Sequence, residues 1–203
     1  MIRVAITGGI GSGKSTVCAM LAERSAAVYD SDSEAKRLMN TSPELRRRIV
    51  ESFGERAYGS DGRLDRRYMA SVVFADASAR ERLNAIVHPA VMADFDRWCA
   101  GHAEDDYTVF ESAILFDAGL DGGFDVTVAV VAPLALRLER TCRRDSASPD
   151  EVERRIAAQM SDDELVERAD YTLVNINRDD LAADVSELDR RFRISKSERD
   201  ATD

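Results

Sequence analysis

Ile2, Val4 and Ile6 recur at every second position at the start of the chain, the pattern of a β-strand with one face buried. Ala27-Val28-Tyr29-Asp30 and Tyr107-Thr108-Val109-Phe110 read as further short strands, the latter ending at Glu111-Ser112. Val126 to Val131 is a nearly continuous apolar run, the mark of a central parallel strand covered on both faces, and Pro133 stops it. Tyr171-Thr172-Leu173-Val174-Asn175 makes a fifth strand. Between the strands the period lengthens to that of helices. Val17, Met20 and Leu21 fall on one face, and a last helix is expected from Asp179 to Phe192, followed by a charged, frayed tail from 193 to 203. Strands separated by helical crossovers predict an α/β fold, a three-layer α/β/α sandwich around a five-stranded parallel sheet.

From 40 to 101 the pattern is helical without a strand. Ser42-Pro43 opens one helix, Tyr58-Gly59-Ser60-Asp61-Gly62 makes a turn, and Asp65 caps a second helix carrying Tyr68, Val72 and Val73. A third is expected from Ala79 to His88, and Pro89 begins a fourth that holds Phe95 and Trp98. So long a stretch exceeds a simple crossover and predicts a helical substrate-binding insertion. After Pro133, Arg137, Arg140 and Arg144 follow one another at i, i+3 and i+7, with Arg143 adjacent, so several guanidinium groups are expected on one side of a helix. Capping boxes are expected at Ser31 with Glu34, Ser148 with Glu151, and Ser161 with Glu164. The 134–168 segment reads as a helical lid.

Gly8, Gly13, Lys14 and Ser15 stand at the spacing G-x-x-x-x-G-K-[ST], directly after the first strand and directly before a helix. This is the phosphate-binding loop in the context it requires. Its glycines let successive backbone N–H groups turn into one concavity. Gly9, Gly11, Ser12, Gly13, Lys14, Ser15 and Thr16 are therefore candidate ATP-binding residues. Lys14 would set an ammonium against the β and γ phosphates, and the Ser15 hydroxyl is the candidate ligand of a Mg2+ bridging the same groups. Asp30 and Asp32 follow the second strand, at the sheet edge where ligands of open parallel sheets bind.

Composition narrows the partners. In 203 residues, 38 acidic against 28 basic side chains give a net charge of −10, which disfavours nucleic acid and anionic membranes, so a polyphosphate substrate must meet a local arginine cluster. Cys18, Cys99 and Cys142 form no C-x-x-C pair and fit reduced thiols in a cytoplasmic protein. With the loop starting at residue 8, no secretory leader is expected ahead of it, and no apolar run reaches the roughly 18 residues of a membrane span. The sequence sets no oligomeric state.

The loop alone does not separate a kinase from a switch. No asparagine is followed by lysine and no D-x-x-G occurs, which removes the GTPase signals; H-R-D and D-F-G are absent, which removes a protein kinase. A small-molecule kinase or a nucleotide-driven regulator remains. Phosphoryl transfer to a hydroxyl needs an orienting base, cations and exclusion of water. Asp32 is the candidate base; Lys14, the metal and an arginine from 137–144 would neutralise charge; the lid would exclude water. His88, before Pro89, is either a packed helix-break residue or a ligand contact.

Several segments, in order, resemble the dephospho-CoA kinase family: Ile6 to Thr16; Asp30-Ser31-Asp32 with Ala35-Lys36-Arg37; Leu83 through His88-Pro89; Arg140 through Arg144-Asp145; Arg155 through Gln159; and Ala169-Asp170-Tyr171 through Asn175. The resemblance spans residues 2 to about 180. It implies transfer of the ATP γ-phosphoryl group to the ribose 3′-hydroxyl of dephospho-CoA with Mg2+, giving CoA and ADP. By it Asp32 is the base, Arg140 the lid cation, Arg144 and Asn175 contact ATP, and His88 with the insertion holds dephospho-CoA. Ala113-Ile114-Leu115-Phe116-Asp117 departs from the family's P-L-L-F-E, which leaves Asp117 without a specific role and Glu111, nearer the strand end, as the alternative candidate near the metal. Asn175-Ile176-Asn177 replaces N-x-G. A nucleoside or sugar kinase and a non-catalytic ATP switch are the competing readings.

Overall fold

Alternation in the first strand has the consequence expected of it. The computed structural model describes residues 1–200, with side chains as far as Ile194. In it Ile2, Val4 and Ile6 of β1 (Ile2–Thr7) point into one apolar core and Ala5 into another. The first core also takes Val128 and Val130 of β4 (Val126–Val131), Leu173 of β5 (Tyr171–Val174), Val17 and Leu21 of α1 (Lys14–Ala22), and Leu181 and Val185 of α9 (Arg178–Asp200). The opposite face joins Ala5 and Ala129 to Leu115, Phe116 and Leu165, the last on α8 (Asp162–Arg168). With β2 (Ala27–Asp30) and β3 (Tyr107–Glu111), the described residues form a five-stranded, wholly parallel sheet of order β2-β3-β1-β4-β5. The strand that carries the glycine loop is therefore flanked on both sides, and its carboxyl end opens where ligands of such sheets bind.

The chain divides into two compact units, residues 1–30 with 102–203, and Ser31–Gly101. The first holds the sheet together with α6 (Leu134–Asp145), α7 (Pro149–Ala157) and α8. In it the last helix does not fray at residue 193. Arg193 pairs with Asp106 and with Asp189 (3.0 Å) and donates to the Arg24 carbonyl (2.6 Å), while the Tyr107 hydroxyl donates to Asp189 (2.6 Å). α9 runs on to Asp200, and the rest of the expected tail, 201–203, lies outside the described residues.

The second unit is helical and begins at Ser31, earlier than the expected residue 40. It comprises α2 (Ser31–Thr41), α3 (Pro43–Phe53), α4 (Arg66–Ala75) and α5 (Ala77–Ala100). Ser42 and Asp65 cap α3 and α4 as expected, accepting from the Leu45 and Tyr68 amides. The Ser31 capping box does not form, because Ser31 is already helical and Glu34 pairs with Arg37. Nor does Pro89 divide two helices: α5 runs through it. Pro89 and Ala85, whose carbonyl loses its donor, are on the exposed face, so water can reach that carbonyl, while Val87, Val91 and Phe95 bury the other face.

The proline is therefore a tolerated cost, not a boundary. Pro89→Ala restores the backbone bond to Ala85 and is expected to raise the thermal midpoint by roughly 3–8 °C, the proline penalty less its unfolded-state benefit. Thermal denaturation followed by circular dichroism measures it; a lowered midpoint would mean that the ring itself packs the unit.

Candidate active site

β1 ends at Thr7 and α1 begins at Lys14, so the glycine loop spans the gap between a central strand and a helix N-terminus. Gly13 takes φ 99° at the cap of α1, in the left-handed region that disfavours other residues, and a Cβ there would lie 2.0 Å from Asn175 Nδ2. Lys14 Nζ donates to the Gly8 carbonyl at 2.7 Å and the Gly9 carbonyl at 3.4 Å, which keeps the ammonium over the loop. Ser15 Oγ donates to Glu111 Oε1 at 2.7 Å. Glu111 ends β3, in register with Ile6 of β1 and Asp30 of β2, so two carboxylates share this edge with the hydroxyl. Beneath them Cys18 is buried; burial above all, and then the Glu111 charge, pushes its thiol well above the ordinary range, and it stays a neutral donor toward Glu111.

The loop is braced from outside. Buried Asn175, just past β5, donates Nδ2 to the Ser12 carbonyl at 2.8 Å. Ile10 is held at both backbone groups: its N–H donates to Gln159 Oε1 at 2.8 Å, and its carbonyl accepts from Arg137 Nε at 3.0 Å. Arg137 is buried, pairs with Asp162 at 2.6 Å through Nη1, and lays Nη2 against Gly9, where a Cβ would come within 2.0 Å. The buried side-chain atoms without a protein partner among the described residues are Thr7 Oγ1, Ser12 Oγ, Thr141 Oγ1 and Arg137 Nη2, all in the loop or against it. Such atoms collect at functional sites, because elsewhere their desolvation is a pure loss of about 1–3 kcal/mol each.

The arginine stripe thus does not present one cationic side. Arg137 is committed to the loop and Asp162. Half-buried Arg140 donates to the Asn175 and Ile176 carbonyls at 3.2 and 3.4 Å. Arg144 forms a two-point pair with Asp145, at 2.7 and 3.1 Å, and Asp145 also takes Arg155 at 2.8 Å. Both arginines hold the Asp145 carboxyl far below the usual range. Of the two other expected caps, Ser161 and Glu164 complete a capping box, whereas Ser148 makes only its own half. Asp162 carried no signal in the sequence, and Gln159 only as the end of a segment resembling the family; their partners Arg137 and Ile10 lie far away along the chain.

Two expected site residues belong to the helical unit. Asp32 is exposed in the first turn of α2, and His88 is half-buried on α5 without a hydrogen bond among the described residues. Burial lowers the His88 pKa from its ordinary 6.5.

A glycine loop on the central strand of a parallel sheet, with a lysine folded over it and a serine hydroxyl against a strand-end carboxylate, defines a P-loop nucleotide-binding protein. The dephospho-CoA kinase family model matches residues 2–180, so the chain belongs to that family. A dephospho-CoA kinase of Salinibacter ruber is 46% identical over 177 residues, 86% of this chain and 89% of the relative. The crystal structure of TT1252 from Thermus thermophilus superposes with a TM-score of 0.77 at 36% identity, covering 90% of this chain and 92% of that one. The dephospho-CoA kinase from Campylobacter jejuni, at 19% identity, shares the fold, with a TM-score of 0.68 over 95% of this chain and 98% of its own.

Asn175→Ala strips the Ser12 carbonyl of its buried donor; a stability loss of about 1–3 kcal/mol in urea unfolding is expected, with weaker ATP binding by calorimetry. Unchanged affinity would leave the brace without influence on the loop. For His88 the lowered pKa means that the unfolded chain takes up a proton first. Its stability contribution is then complete above about pH 6.5 and declines as pH falls through that value. Urea midpoints between about pH 7.5 and 5.5 should fall more in the wild type than in His88→Gln; parallel curves would contradict it.

Proposed function

We propose that the protein transfers the γ-phosphoryl group of ATP to the ribose 3′-hydroxyl of dephospho-CoA, forming coenzyme A and ADP, the last step of coenzyme A synthesis. The observation that carries the reading is the loop with Lys14 and the Ser15–Glu111 pair, in a chain of this family.

Loop amides from Gly9 to Thr16 bind the triphosphate, aided by the positive end of the α1 dipole. Lys14 exchanges its loop carbonyls for phosphate oxygens and neutralises charge as the bond to the β-phosphate breaks. Arg140 is the lid cation, and Arg144 and Asn175 complete the ATP site, Asn175 by holding the loop. Asp32 accepts the 3′-hydroxyl proton as the new O–P bond forms. His88, kept neutral by burial, contacts dephospho-CoA.

The Ser15 hydroxyl and the Glu111 carboxylate are hard oxygen donors 2.7 Å apart, a set suited to Mg2+, which takes few protein ligands and keeps several waters. Ser15 would ligate it, with Glu111 beside it. Bound there, the ion supplies charge neutralisation across the β and γ phosphates. The 134–168 helices act as the lid that excludes water. Among the described residues no helix is long and apolar enough to cross a membrane, and the three free thiols favour the cytoplasm.

In a coupled ADP-release assay with ATP, Mg2+ and dephospho-CoA, turnover is expected, and Asp32→Asn should lower kcat by on the order of 10² with ATP affinity little changed. A variant that only melted earlier would make Asp32 a helix residue and not the base.

A further inference from the structure

One cavity of the chain lies wholly within the helical unit. Lys36, Asn40 and Thr41 of α2 face Asp61, Arg63 and Arg66 of the turn into α4 across a cleft of about 700 Å³. Asn40 fixes that wall by accepting from the Leu64 amide at 2.9 Å, and Arg46 does so by donating to the Gly62 carbonyl at 2.9 Å. Arg37, also on the cleft, is committed to Glu34 and to Asp94. Lys36, Arg63 and Arg66 make no ion pair among the described residues, and the one carboxylate lining the cleft, Asp61, is turned to the Arg63 amide at 3.0 Å. In a chain of net charge −10, three uncommitted cations around one concave surface are a local reversal of sign.

The cleft also has a fixed relation to the proposed base. Asp32, Lys36 and Asn40 stand at i, i+4 and i+8 on α2, one face of one helix, so the cleft begins one turn, about 5.4 Å, along from Asp32. On the activity proposed above, the acceptor ribose carries its reacting hydroxyl at the 3′ position and a diphosphate at the 5′ position. A diphosphate must therefore lie about one sugar ring from Asp32, and it is the most highly charged part of that substrate.

We propose that the Lys36–Arg63–Arg66 cleft is the subsite for the 5′-diphosphate of the acceptor. This rests on the reading of the reaction given above. The three side chains bind an anion that undergoes no bond change, so they act through affinity and register: with the diphosphate held one turn along α2, the 3′-hydroxyl is brought to Asp32. Guanidinium groups suit this task, since each presents two parallel N–H donors to phosphate oxygens.

Steady-state kinetics of Arg63→Ala/Arg66→Ala test it, with Arg47→Ala as control; Arg47 is an exposed arginine paired with Glu51 on α3, away from the cleft. The double variant is expected to raise KM for dephospho-CoA tenfold or more, with kcat and KM for ATP within twofold, and Arg63→Lys/Arg66→Lys should recover part of the loss. The wild-type KM should also climb more steeply with added NaCl than that of the double variant. A KM for dephospho-CoA no different from that of Arg47→Ala overturns the subsite, as does a fall in kcat at unchanged KM. Should the double variant lose its cooperative melting transition, Lys36→Met, on the exposed face of α2, gives the same readout with a KM rise of threefold or more expected and none overturning it. Wild-type protein that turns over no dephospho-CoA refutes the reaction and the subsite with it; turnover with an unmoved KM refutes the subsite alone.

Discussion

Backbone that turns its amides inward onto an anion must turn carbonyls outward, and those carbonyls need donors of their own. The glycine loop meets this requirement with side chains from three directions. Gly8 and Gly9 are served by Lys14 within the loop, Ile10 by Arg137, and Ser12 by Asn175. Arg137 and Asn175 come so close that a side chain on Gly9 would collide with the first and one on Gly13 with the second. Glycine is thus required here for two separate reasons: conformation at Gly13, and proximity at both positions. The loop's shape belongs to the whole end of the sheet, where α6, the α7–α8 connection and the end of β5 converge.

Sheet order decides what else can stand there. With β1 between β3 and β4, the strand-end residues of β3 fall beside the start of α1, which puts Glu111 against Ser15. A carboxylate beside a phosphate site would repel an anionic substrate unless cations outweigh it. Cys18 meets Glu111 locally as a neutral thiol donor. A hard cation held between hydroxyl and carboxylate would complete that balance. The overall acidity of the chain makes such local compensation necessary, and it recurs on α2, where Lys36 follows Asp32 by one helical turn.

Much of this was legible in the sequence, and the reasons are local. Strands β1 and β4 announce themselves through alternation and continuous apolarity, and the glycine spacing fixes the loop without reference to anything distant. Pro89 misled, because a proline's effect depends on whether its orphaned carbonyl faces water, and that is set by which side of α5 is buried. The arginine stripe misled for a related reason. Residues at i, i+3 and i+7 share a face, but α6 lies partly against the loop, so the innermost of them, Arg137, is buried while Arg144 stays in solvent. Asn175, expected to contact the nucleotide, holds the Ser12 carbonyl of the loop with its side-chain amide, a partner more than 160 residues earlier that the chain could not disclose. The contacts of Gln159 and Asp162 are invisible for the same cause, since no periodicity links them to Ile10 and Arg137, although Gln159 closes a segment that carries the family resemblance.

The Arg137–Asp162 pair, its guanidinium buried and its carboxylate partly exposed, then gains its meaning from specificity more than from stability. Such a pair returns little net free energy, but losing Asp162 would leave the buried Arg137 charge without its counter-ion. Asp162 opens α8, Arg137 sits in the first turn of α6, and both close on Ile10 through Arg137 Nε while Gln159 takes the Ile10 amide. Any arrangement of α6 and α8 that parts the pair also releases the loop at the residue where its carbonyl and its amide are both held. The positions of α6 and α8 and the shape of the phosphate loop are therefore one structural variable, so a change imposed on either is felt by the other.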